Sequence, residues 1–162
     1  GSAMKKFVDQ KGYGLVKYES EVAKKEAKKN NEKQQLAERG KKYSDRKRKK
    51  LIDNTYGSIV KVEMDKSHPL AFGYDKTYFS LKLGSSNYGI LSKGYNVAYM
   101  QEPQVVSGFV GSEAYKTLEN SVVFAEENMG RGSVIYMVDN PLFRSFWQNG
   151  KLFFANALFM VD

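Results

Sequence analysis

The chain has no cysteine and a single histidine, His68, in 162 residues. The first absence removes disulfides, thiolate metal sites and cysteine nucleophiles together, and it leaves the redox compartment open. The second restricts metal chemistry, because a catalytic zinc site draws three protein ligands, usually histidines and a carboxylate, around an open position. No apolar run approaches the roughly 18 residues of a membrane span. No signal peptide is present either. Gly1-Ser2-Ala3-Met4 reads as a cloning scar, which would make the chain an excised fragment whose missing signal carries no information.

What is present suffices for one folded unit. The hydrophobic fraction is 41% and the aromatic fraction 14%, enough for a sizeable core at this length. Residues 5–162 read as a single α/β domain. The net charge of +8 is local: residues 22–55 hold 13 Lys/Arg against 5 Asp/Glu, and the rest is neutral. Residues 22–50 are Lys/Glu/Ala/Gln-rich with almost no large apolar side chain, so they predict a solvated helix or a disordered insertion.

Periodicity supplies the elements. Residues 5–13 look like the end of an amphipathic helix stopped by Gly12, and residues 14–18 like a short strand. Alternation predicts a strand over 57–64. Further strands are expected at 70–74, 77–81, 96–100 and 105–110. Ser112 is placed to cap a helix running to about Leu118. The apolar runs 121–125 and 133–138 flank a Gly130/Gly132 turn and suit a sheet covered on both faces. Asp139 or Asn140 would cap a closing helix with Pro141 in its first turn, and Gly150 would break or kink it.

Three strings carry a resemblance: Ser67-His68-Pro69-Leu70-Ala71-Phe72-Gly73-Tyr74, Val106-Ser107-Gly108-Phe109-Val110-Gly111, and the closing segment from Met129 to Met160. They resemble the C-terminal region of bacterial zinc carboxypeptidase-like proteins of the M14 peptidase family. There a metallopeptidase domain precedes a class I glutamine amidotransferase-like domain of flavodoxin-like architecture. The resemblance covers about residues 5–21 and 51–161. It implies a truncated flavodoxin-like α/β fold with a central, mostly parallel or mixed sheet and flanking helices. It also implies a non-catalytic accessory domain whose partner is the upstream peptidase of the same polypeptide, and an extracytoplasmic location for the parent. The sequence departs from the pattern at Tyr13, where a second glycine is expected. The first two strand–helix units and the peptidase domain are absent. Zinc would belong to that upstream domain, so no cofactor and no catalytic residue is assigned here. Loss of two strands would leave an open sheet edge, which a homodimer could cover.

The candidate polar residues each admit more than one role. His68 with Asp65 is either a metal-binding pair or a turn histidine before Pro69; position 71, where His-x-x-Glu would place its carboxylate, is Ala71. Ser20 lacks the flanking glycines of a nucleophile elbow. Arg144 could pair with Asp139, cap a helix, or recognise a ligand carboxylate beside Asn140. The run 41–50 holds seven Lys/Arg. Arg46, Lys47, Arg48, Lys49 and Lys50 could form a polyanion contact with salt-dependent binding. The plainer reading is a solvated insertion, because the aromatics lie elsewhere apart from Tyr43, and nucleic acid is the disfavoured partner.

Overall fold

A computed structural model describes residues 42–161, together with Gly14 and Gly40. The helix end expected at 5–13, the strand at 14–18 beyond Gly14, Ser20, and most of the insertion 22–50 lie outside the described residues. Within them, helix α1 (Tyr43–Ile52) precedes strand β1 (Thr55–Met64). A 3-10 turn (Pro69–Ala71) leads to β2 (Thr77–Lys82), β3 (Tyr88–Gly89) and the long β4 (Tyr95–Val110). Helix α2 (Ser112–Lys116) connects β4 to the hairpin of β5 (Ser121–Met129) and β6 (Gly132–Met137). A second 3-10 turn (Phe143–Ser145) precedes the closing helix α3 (Gln148–Phe159).

The strands form one sheet in the order β2-β1-β4-β5-β3, with β6 also on β5. Every pairing is antiparallel. The flavodoxin-like, mostly parallel sheet is therefore not the fold of this chain. The physical reason lies in the connections. A parallel pair needs a crossover of a dozen or more residues, usually a helix, whereas Met129 pairs with Gly132 across a tight turn. The double-sided burial that suggested a parallel sheet is real: β5 is buried along Ser121–Glu127. It arises because β5 is a central antiparallel strand. Without two lost parallel strands, the expected open edge has no basis. One real outer strand, β2, is partly covered, since Asn149 Nδ2 donates to the Phe79 carbonyl at 2.8 Å.

Several local expectations also change. Residues 70–74 are not a strand: the 3-10 turn Pro69–Ala71, with Pro69 in its first position and His68 as its cap, runs on into a turn. The strands expected at 96–100 and 105–110 are one strand, β4, interrupted by bulges. Ser112 is the first residue of α2, whose N-cap is Gly111. The closing helix starts at Gln148, not near Pro141. Gly150 neither breaks nor kinks it. It is buried in the first turn, where a Cβ would stand 2.1 Å from the Pro141 carbonyl oxygen.

The main core gathers Val60, Val62 and Met64 of β1, Tyr78 of β2, Val97, Ala98 and Met100 of β4, and Phe124 of β5 against Phe153 of α3. Phe124 and Phe153 stack with ring centroids 3.9 Å apart. A second cluster joins Tyr88, Leu91, Val122, Ala125, Tyr136 and Val138. Among the described residues no helix is long and apolar enough to cross a membrane.

Bulges shape the β1–β4 ladder. Gly108 has φ +89°, and a Cβ there would lie 2.1 Å from the Gly57 carbonyl oxygen and 2.6 Å from Ser58 Cα. Both strands are backbone at that point, so neither can yield. Gly108→Ala is expected to destabilise the chain by at least about 2 kcal/mol, through strain at positive φ plus the clash. A urea midpoint unchanged from wild type would contradict this packing.

Candidate functional site

The five candidate polar residues Asp65, His68, Asp139, Asn140 and Arg144 do not form one cluster. Their hydrogen bonds divide them between two places.

The first is built on the turn after β1. Asp65 accepts from the Ser67 hydroxyl at 2.6 Å and the Ser67 N–H at 3.0 Å. These bonds hold its carboxyl below the ordinary value. His68 does not share a ligand site with Asp65. Its Nδ1 accepts from the Leu70 N–H at 3.2 Å, which leaves the ring hydrogen on Nε2. Nε2 faces Glu126 Oε2 at 3.2 Å, with both side chains largely buried. The Tyr95 ring stands 5.2 Å from the imidazole. Both ring nitrogens are thus engaged, and the plain turn-histidine reading describes His68 better than a metal ligand does. Glu126 was missed in the sequence, although a carboxylate that ends an apolar strand is the available signal. Its neighbour Glu127 accepts from the Tyr136 hydroxyl at 2.6 Å and the Gly14 N–H at 2.8 Å.

The second place lies at the end of β6. Asp139 accepts from Ser80 Oγ at 2.5 Å and from Lys82 Nζ at 3.2 Å. The Lys82 side chain is 1% exposed and that of Asp139 12%. A lysine so deeply buried needs an anion, because an uncompensated charge in this setting is costly. Lys82 takes the place that the sequence offered to Arg144. The alternating pattern of β2 puts Tyr78, Ser80 and Lys82 on the buried side, so periodicity carried the signal that a lysine's usual exposure obscured. Asn140 Oδ1 accepts from the Leu142 N–H at 2.9 Å and closes a local turn. Arg144 is exposed, sits at φ +48°, and has its guanidinium 5.2 Å from the Phe143 ring centroid.

The closing helix is tied to the turn after β1. Asn156 Nδ2 donates to the carbonyls of Leu70 and Phe72 at 3.0 and 2.8 Å. The Tyr74 hydroxyl donates to the Asn149 carbonyl at 2.7 Å and accepts from the Phe153 N–H at 2.8 Å. Burial raises the Tyr74 phenol above its ordinary pKa, so it stays a donor at neutral pH.

The basic positions 46–50 fall on α1. Arg48 is exposed; the side chains of Arg46, Lys47, Lys49 and Lys50 lie outside the described part of the structure.

One open concavity stands out. A groove of about 760 Å³ runs over the face of the sheet opposite the main core, lined by Lys61, Glu63, Lys76, Thr77 and Tyr99 together with the turn 64–67 and Asn96. A smaller recess of about 110 Å³ continues from it past Glu102 and Gln104.

The donor set does not fit a zinc peptidase site. Such a site needs two histidines and a carboxylate, and the one histidine is already bound at both nitrogens. Compared with known proteins, the chain matches no family model, no curated protein and no solved structure.

Proposed function

We propose that this chain is a non-catalytic accessory region of a zinc carboxypeptidase-like protein of extracytoplasmic location, with the role of supporting and orienting the peptidase. The observation that carries this reading is how the resembling strings are used. The 67–74 string and the closing segment interlock through Tyr74, Asn149, Phe153 and Asn156. The side chains of Tyr74 and Asn156 fasten α3 to the turn after β1. Residues spent this way serve rigidity, which suits a scaffold. The flavodoxin-like architecture is no part of this proposal, which rests on the strings and on their use.

Reading the coding region upstream of Lys5 tests it. A peptidase region with His-x-x-Glu and a distal histidine is expected. An open reading frame that starts near Met4, with no such region, overturns the proposal. In the full-length parent, deleting this region is expected to lower the melting temperature of the peptidase while kcat on a C-terminal substrate changes by less than about tenfold. A complete loss of activity from a peptidase domain that remains folded would assign the chain a catalytic role instead.

A further inference from the structure

The groove on the open face of the sheet is built rather than incidental. Along β1, Val60, Val62 and Met64 point into the core, so Lys61 and Glu63 point together out of the opposite face. Glu63 lies in register with Thr77 of β2 on one side and Tyr99 of β4 on the other. From Tyr99 to Gln104 the chain of β4 advances five residues while β1 advances only two, from Glu63 to Lys61. The surplus residues bulge out beside the groove, where Glu102 and Gln104 line the smaller adjoining recess, and bulges are common beside binding sites. Pro103, which lacks an N–H for the ladder, is buried in this bulge, and its carbonyl accepts from the Tyr115 hydroxyl at 2.5 Å. The bulge is therefore fixed from behind.

No partner among the described residues neutralises the charges on the floor. Among the described residues, Lys61, Glu63 and Lys76 form no ion pair, whereas Lys66 beside them is held by Asp75 at 3.3 Å. Opposite charges two residues apart on one strand face are separated by two strand rises, roughly 7 Å at their Cα atoms. A dipeptide with free termini carries its ammonium and its carboxylate at nearly this spacing, roughly 6–7 Å, because it is made of the same backbone unit. A single amino acid carries them at about half that distance. The volume of the groove lies within the roughly 300–1,000 Å³ of small-ligand sites.

We propose that this groove binds a short zwitterionic peptide of dipeptide length, its ammonium at Glu63 between Thr77 and Tyr99, its carboxylate at Lys61. The inference depends on the groove alone and stands whether or not the chain serves a peptidase.

The test is a titration of the nitrogen-15-labelled 162-residue chain with L-alanyl-L-alanine, followed by amide chemical shifts. Saturable shifts are expected at residues 61–63, 77 and 99, at up to about tens of millimolar peptide. N-acetyl-alanyl-alanine amide is expected to bind at least about tenfold more weakly, and free alanine likewise. Lys61→Glu should weaken dipeptide binding by about fivefold or more. The double exchange Lys61→Glu with Glu63→Lys should restore it, because the dipeptide can bind in the reverse direction. Both positions face solvent, so the urea midpoints of these variants should match wild type and report an intact fold. The absence of saturable shifts, equal binding of the blocked peptide or of alanine, or failure of the double exchange to restore binding would each overturn the proposal.

Discussion

Replacing Asp139 with alanine is expected to destabilise the chain by about 3–5 kcal/mol, a large share of the roughly 5–15 kcal/mol available to a domain. The residue's partners explain the size. Lys82 Nζ lies 3.2 Å from one carboxylate oxygen and Ser80 Oγ 2.5 Å from the other, and Lys82 and Ser80 are sealed from water. Removing the carboxylate strands an ammonium inside the protein and leaves a buried hydroxyl without its acceptor. Removing the charge as well should undo most of the damage. The double variant Lys82→Met with Asp139→Ala is expected to lie within about 2 kcal/mol of wild type, since apolar replacements of buried ion pairs are often neutral or better. A double-mutant cycle in urea measures both. A cost for Asp139→Ala below about 1 kcal/mol would show that Lys82 reaches water in solution.

Phe153→Ala should cost about 3–5 kcal/mol by the cavity it opens. Its ring is fully buried, stacked at 3.9 Å on Phe124, and Tyr78 meets Phe124 edge-on at 5.2 Å. Three elements, β2, β5 and α3, therefore lose contact at one point. Phe153→Leu keeps most of the volume and is expected to cost about 1.5 kcal/mol. If both variants cost the same, the aromatic stack itself and not the filled volume would be the source of the stability. Calorimetric melting of the two variants beside wild type separates these cases.

Strand positions were largely legible from alternation, and strand direction was not. Lys61 and Glu63 among Val60, Val62 and Met64 give the period of two that places β1. The apolar run Ser121–Ala125 gives only burial, which a central antiparallel strand and a parallel one share. The deciding clue was the short link from Met129 to Gly132, which permits a hairpin and forbids a crossover. The closing helix was misplaced because Pro141 is an ordinary helix-starting residue, while the positive φ values of Arg144 and Ser145 that delay the helix have no sequence signature. Gly150 looked like a breaker because glycine marks both helix ends and close approaches, and only the packed Pro141 backbone distinguishes them. Of the candidate residues, Asp65, His68 and Asp139 each engage a side-chain partner in the fold, and the partners of His68 and Asp139 could not be read from the sequence. Glu126 and Lys82 come from strands far away in sequence, and one sequence carries no trace of such pairings. The groove was invisible for the same reason, since it depends on register between β1 and a bulged β4.

The ladder between β1 and β4 also dictates an order of assembly. Thr55 pairs with Val110, and the whole of β2 and β3 lies between them in the chain. Closing so long a loop is entropically slow, whereas β5 and β6 meet across a tight turn within microseconds. The β5–β6 hairpin is thus the natural nucleus. The β1–β4 seam should close late and place the chain among the slower, millisecond-to-second folders. Until it closes, the groove has no floor, so ligand binding at that face would report the last step of folding.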